Sequence, residues 1–102
     1  MEDDRIALNQ FAFRKANETI AQRAGEAPAE FLCECGRPDC GAKVVLTAAD
    51  YDAVRSHPRR FLCAPGHVTP AIEAVIEEGE AYLVVEKGGR AGELAEATNP
   101  RG

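Results

Sequence analysis

Cys33-Glu34-Cys35-Gly36-Arg37-Pro38-Asp39-Cys40 places three of the chain's four cysteines within eight residues. Read as the end of a strand, the stretch points Cys33 and Cys35 to one face, because side chains alternate with a period of two. The Gly36–Asp39 turn then brings Cys40 back toward them. Three thiolates meeting at one point make most of a tetrahedral soft-ligand site, so the expected cofactor is zinc and the expected organiser of the fold is a zinc knuckle. The fourth ligand is expected to be Cys63 or His67. Cys63 lies in an apolar run where a small buried hydrophobe is equally at home. His67 follows the Pro65-Gly66 turn, where a ring can be aimed at a fixed point. His57, beside Pro58, reads as a surface residue. A redox dithiol and inert packing are the alternatives to zinc. A Cys33–Cys35 disulfide would close a strained ring. Bonds of Cys40 to Cys35 or Cys63 are sterically open, but the acidic start Met1-Glu2-Asp3-Asp4 is unlike a secretory signal. The expected location is therefore cytoplasmic, where structural disulfides are disfavoured.

On either side of the cluster the chain alternates short elements. A helix is predicted from Asp4 to about Gly25, with acids at positions 2–4 suiting its start. Ile6, Phe13 and Ile20 recur every seven residues, and Ala16 and Ala24 extend that stripe toward a core. Residues 26–29 read as a linker. Strands are expected at Glu30–Cys35, Lys43–Leu46 and Arg60–Ala64. Thr47-Ala48-Ala49-Asp50 reads as a cap that opens a helix ending near Arg55 or Ser56, before Pro58. Ala71–Glu78 admits a helix begun by Pro70, or residues 73–87 a β-hairpin of Glu73–Glu77 and Ala81–Lys87 about a Glu78-Gly79-Glu80 turn; Tyr82-Leu83-Val84-Val85 is strand-like either way and favours the hairpin. Arg90–Ala97 reads as a short helix. The whole is one α+β domain over residues 1–102: an N-terminal helix (1–25), a zinc-binding unit with a small antiparallel sheet and short helices (30–97), and a mobile tail (98–102).

Composition narrows the function. Of 102 residues 45% are hydrophobic, yet 18 are alanines, and without alanine and cysteine only 24 large apolar side chains remain. That is a thin core, for which a metal is a plausible supplement. The net charge of −5 argues against nucleic acid as a partner. No apolar run approaches the ~18 residues of a membrane span. The basic run Arg55-Ser56-His57-Pro58-Arg59-Arg60 is expected to pair with nearby carboxylates or face solvent, with an anion-binding notch as the alternative.

Cys33–Cys40, Leu46-Thr47, Tyr51, Val54-Arg55, Pro58, Arg60-Phe61 and Ala64-Pro65-Gly66-His67, with Tyr82–Lys87 and Asn99-Pro100-Arg101, resemble a group of small, largely uncharacterised actinobacterial proteins over residues 31–101. In that group the position of Cys63 is usually a hydrophobe and the Pro-Gly-His is usual. The resemblance implies Cys33, Cys35, Cys40 and His67 as the metal set, with Cys63 a bystander, and implies no activity.

Nor do the residues point to a catalyst. Three thiolates and an imidazole fill a tetrahedron and make a poor Lewis acid. Glu34 faces away from Cys33 and Cys35 on a strand. Zinc-hydrolase, nucleophile-elbow and phosphate-loop motifs are absent. The expected function is a non-enzymatic structural zinc protein that binds an unknown protein partner or regulates one. The alternative is a thiol switch that releases zinc when the cysteines are oxidised.

Overall fold

The computed structural model describes residues 2–37 and 39–101. The side chains of Glu2, Asp3 and Asp4, and Pro38 of the expected turn, lie outside the described set. The elements run α1 (Glu2–Ala24), β1 (Ala29–Leu32), β2 (Lys43–Leu46), α2 (Ala48–Arg55), β3 (Arg60–Cys63), β4 (Glu73–Glu78), β5 (Leu83–Lys87) and α3 (Gly89–Ala97). The class is α+β, as expected, but the strands form two antiparallel sheets: a β1–β2 pair and a three-stranded sheet in the order β3-β5-β4. Phe31 lies opposite Val44 in the first, and Phe61 opposite Val85 in the second. All four side chains are buried together with Leu46, Tyr51, Leu62 and Cys63. Phe31 stacks on Tyr51 with 4.9 Å between ring centres. No helix of the described residues is long and apolar enough to cross a membrane.

Local chemistry accounts for most boundaries. Gly25 ends α1 in the left-handed region, at φ +64°. The Thr47 hydroxyl accepts from the Asp50 amide at 3.1 Å and starts α2. Residues 73–87 form the hairpin rather than the helix, with a bulge between Val75 and Glu77. β1, however, stops at Leu32 instead of reaching Cys35. The Cys33 amide donates to Ala42 beside β2 at 3.1 Å, and the next amide, of Glu34, donates to Leu62 of β3 at 2.7 Å. The chain changes partner there and leaves the first ladder to join the second sheet. The three-residue segment of Cys33, Glu34 and Cys35 is therefore a bridge between sheets, not a strand face.

The inner face of α1 also differs from the expected stripe. Its most deeply buried side chains are polar: Gln10, Arg14 and Asn17. Ile6, Phe13 and Ile20 flank them, half-buried. The reason is what α1 packs against. It lies on β1 and the backbone that follows, whose carbonyls need donors. Arg14 donates to the carbonyls of Ala95 at 3.2 Å and Pro58 at 2.9 Å, with its guanidinium 4.3 Å above the Phe61 ring. Burial and the neighbouring Arg55 pull its pKa down to about 10.

The basic run is taken up internally. Arg55 is buried 3.7 Å from Glu18, Arg59 pairs with Glu96, and Arg60 meets Glu86 at 3.0 Å. Residues 98–101 do not trail from the domain. Asn99 accepts from both Arg55 and Arg14, and Arg101 reaches Glu18 on α1 at 2.9 Å and Asp52 on α2 at 3.0 Å. The expected tail is thus a clasp across two helices.

At Gly36 the backbone of the cysteine segment passes close against α1. The φ of this glycine is +80°, and an added Cβ would lie 2.7 Å from Gln10 Cγ and 3.0 Å from the Ile6 carbonyl oxygen. Gly25 shares the positive φ, at +64°, but has open space around it. Gly25→Ala should therefore cost only the left-handed penalty of about 1–2 kcal/mol. Gly36→Ala should cost about 1–3 kcal/mol more through overpacking. Denaturant unfolding of the two variants checks this; equal losses would contradict the close approach.

Candidate metal centre

Four side chains converge from three separate stretches of chain. The ligand atoms of Cys33, Cys35, Cys40 and His67 all lie within 4.8 Å of one another. Three of them are fixed by a backbone feature of their own. Cys33 is fixed by its amide bond to Ala42, and the Cys40 amide closes a turn on the Arg37 carbonyl at 3.1 Å. The His67 amide closes another on Ala64 at 3.0 Å, with Gly66 at φ +84° supplying the left-handed residue. The Pro-Gly turn aims the imidazole as its sequence implies.

The imidazole Nδ1 sits 3.5 Å from Cys33 Sγ and 3.5 Å from Cys40 Sγ. A tetrahedral zinc with ordinary Zn–S and Zn–N bonds separates sulfur from nitrogen by about 3.6 Å. One ring nitrogen, with a single lone pair, is thus aimed between two sulfurs at the spacing a shared ion requires. Three soft thiolates and one imidazole are a donor set suited to zinc. The residues present fit the ion.

Cys33 is the buried member, while Cys35, Cys40 and His67 are half-exposed. The Ala64 amide donates to Cys33 Sγ at 3.2 Å. A hydrogen bond from the Cys63 thiol, opposed by burial and aided by the Ala64 and Cys35 amides, holds the Cys33 thiol down to about 4. Burial pushes Cys35 up to about 12 despite a bond from the Arg37 amide. Cys63 itself is fully buried, and its hydrogen bond to Cys33, followed by burial, pushes its pKa up. It stays outside the four-residue group while touching one member. His57 is exposed and apart from it.

Glu34 is the residue that sequence reasoning undervalued. It stands between two of the cysteines but outside the group of ligand atoms, and it is completely buried. One carboxylate oxygen accepts from the Leu62 amide at 2.9 Å; the other accepts from the Tyr51 hydroxyl at 2.6 Å and the Asn17 amide at 2.8 Å. Burial pushes its pKa up against these bonds. Around it, side-chain amides of α1 serve the ligand backbone. Asn17 donates to the Leu32 carbonyl at 2.9 Å, Gln10 to Glu34 at 3.0 Å and Asn9 to Gly36 at 3.1 Å. Asn17 also accepts from the Leu32 amide at 2.8 Å. A signal was present: Gln10, Arg14 and Asn17 are spaced by four and three, as one helix face requires.

No family model matches the chain, and neither a curated protein nor a solved structure does. The chemistry of the site therefore carries its interpretation.

Two outcomes follow for the ligand set. Cys63→Val should keep a full metal equivalent and cost less than ~1.5 kcal/mol, as near-isosteric core swaps do. His67→Ala should lose tight binding; the reverse pattern would exchange their roles. Gln10→Met keeps the shape but removes the donor to Glu34. It should weaken metal affinity by roughly 10-fold or more, in the range of lost support around first ligands. A competitive chelator titration measures it, and an unchanged affinity would show α1 to be uninvolved.

Proposed function

We propose that this chain is a small non-enzymatic zinc protein in which zinc is structural and the folded unit serves as a protein-interaction or regulatory module. The observation that carries the reading is the placing of His67 Nδ1 at the same distance, 3.5 Å, from two of three converged cysteine sulfurs. Four such donors complete a tetrahedral shell, and a complete shell leaves no position for a substrate. Cys33, Cys35, Cys40 and His67 would hold the ion, which would supply a cross-link between residues distant in sequence. Glu34, the nearest carboxylate in sequence, is engaged by three donors on other elements and unsuited to act as a general base at the cluster. The net charge of −5 favours a protein partner over nucleic acid. The resemblance to small actinobacterial proteins implies the same ligand set.

Because Cys33 and His67 are 34 residues apart, metal binding closes a long loop and contributes directly to folding. Purified reduced protein should carry one zinc per chain by elemental analysis. Its removal should lower the thermal midpoint by roughly 15 °C or more, since each kcal/mol moves a domain of this size by about 4–8 °C. An unchanged midpoint in metal-free protein would contradict a structural role. Fast, reversible zinc release by mild peroxide, with a disulfide formed, would favour the thiol switch instead.

A further inference from the structure

The three-stranded sheet has two edges, and they are treated differently. At β3 the outer edge is closed by Glu34, whose amide donates to the Leu62 carbonyl at 2.7 Å and whose carboxylate accepts from the Leu62 amide at 2.9 Å. At β4 the outer edge has no partner strand among the described residues. Every β4 residue after Glu73 is exposed. Val75 is 45% and Ile76 42% exposed, and Ile72 just before the strand is 44% exposed. Ile72 and Ala74 also line a cavity of about 940 Å³ between α1, α3 and the β4–β5 pair. An open edge with apolar side chains is a template for another extended chain.

The charges say which kind of chain. Glu73 is bound to Lys87, but Glu77, Glu78 and Glu80 have no basic partner among the described residues. A second copy would bring another net −5 to this acidic edge. We infer that β4 is a docking edge for an extended, basic segment of a partner protein. The segment adds as a strand beside Glu73–Glu78, covers Val75 and Ile76, and sets lysine or arginine against Glu77, Glu78 and Glu80. The inference rests on the interaction-module reading and names its surface and the chemistry of its partner. The bulge after Val75 does not close the edge; it twists the strand and limits pairing with flat, uncharged strands, which favours a selected partner over aggregation.

The test is selection of binders from a library of random twelve-residue peptides against the zinc-loaded protein, with metal content measured first. Enriched peptides should alternate apolar residues with lysine or arginine, and should slow hydrogen–deuterium exchange of the amides of residues 74–78. Val75→Lys combined with Ile76→Lys, both exposed positions, should weaken binding tenfold or more while zinc content and thermal midpoint stay unchanged. No enrichment overturns the inference. So do peptides that protect another surface, peptides indifferent to the double substitution, or a concentration-dependent dimer through β4. A protein without bound zinc counts against the module reading instead, so the two failures remain distinct.

Discussion

The backbone from Leu32 to Gly36 runs beneath α1, where buried carbonyls must find donors without the help of a neighbouring strand. Asn17, Gln10 and Asn9 supply them at 2.9, 3.0 and 3.1 Å, taking the carbonyls of Leu32, Glu34 and Gly36 in turn. Those carbonyls alternate with Cys33 and Cys35. The side chains that hold one side of the segment therefore fix the direction in which both cysteines point. Removing such a donor leaves a buried carbonyl unpaired, at about 1–3 kcal/mol. This explains why a helix with apolar residues available turns Gln10 and Asn17 inward, while Arg14 beside them serves the carbonyls of Pro58 and Ala95 in the same way.

Glu34 links the same segment to the rest of the molecule. It joins α1 through Asn17, α2 through Tyr51 and β3 through Leu62. A buried carboxylate is costly unless donors surround it, and here they do. Its neighbours Cys33 and Cys35 inherit the rigidity of that junction. From the other side, the end of β3 contributes the Cys63 thiol to Cys33, and the residue after it the Ala64 amide. The four potential ligands thus stand on a frame to which most elements of the chain contribute, and metal and fold support one another.

Residues governed by local rules are legible in the sequence. The Thr47 cap, the stop at Gly25 and the β4–β5 hairpin about Gly79 follow from short-range chemistry, and the helix–strand order with them. The convergence of Cys33, Cys35 and Cys40 is legible as well, with the fourth place left between Cys63 and His67, although the strand-face argument for it is not how the structure achieves it. What escapes is long-range pairing of polar groups. Nothing near Glu34 in sequence announces Tyr51, Asn17 and Leu62 as partners, and Arg55 gives no local sign that Asn99 will meet it. The apolar pattern of α1 misleads for the same reason: its strongest constraints are hydrogen bonds to a backbone more than ten residues away.

X-ray absorption at the zinc edge of the metal-loaded protein tests the central claim most directly. Coordination by Cys33, Cys35, Cys40 and His67 predicts a shell of three sulfurs at about 2.3 Å and one nitrogen at about 2.0–2.1 Å. A shell of four sulfurs would put Cys63 in place of His67, and one dominated by oxygen and nitrogen would contradict the site altogether.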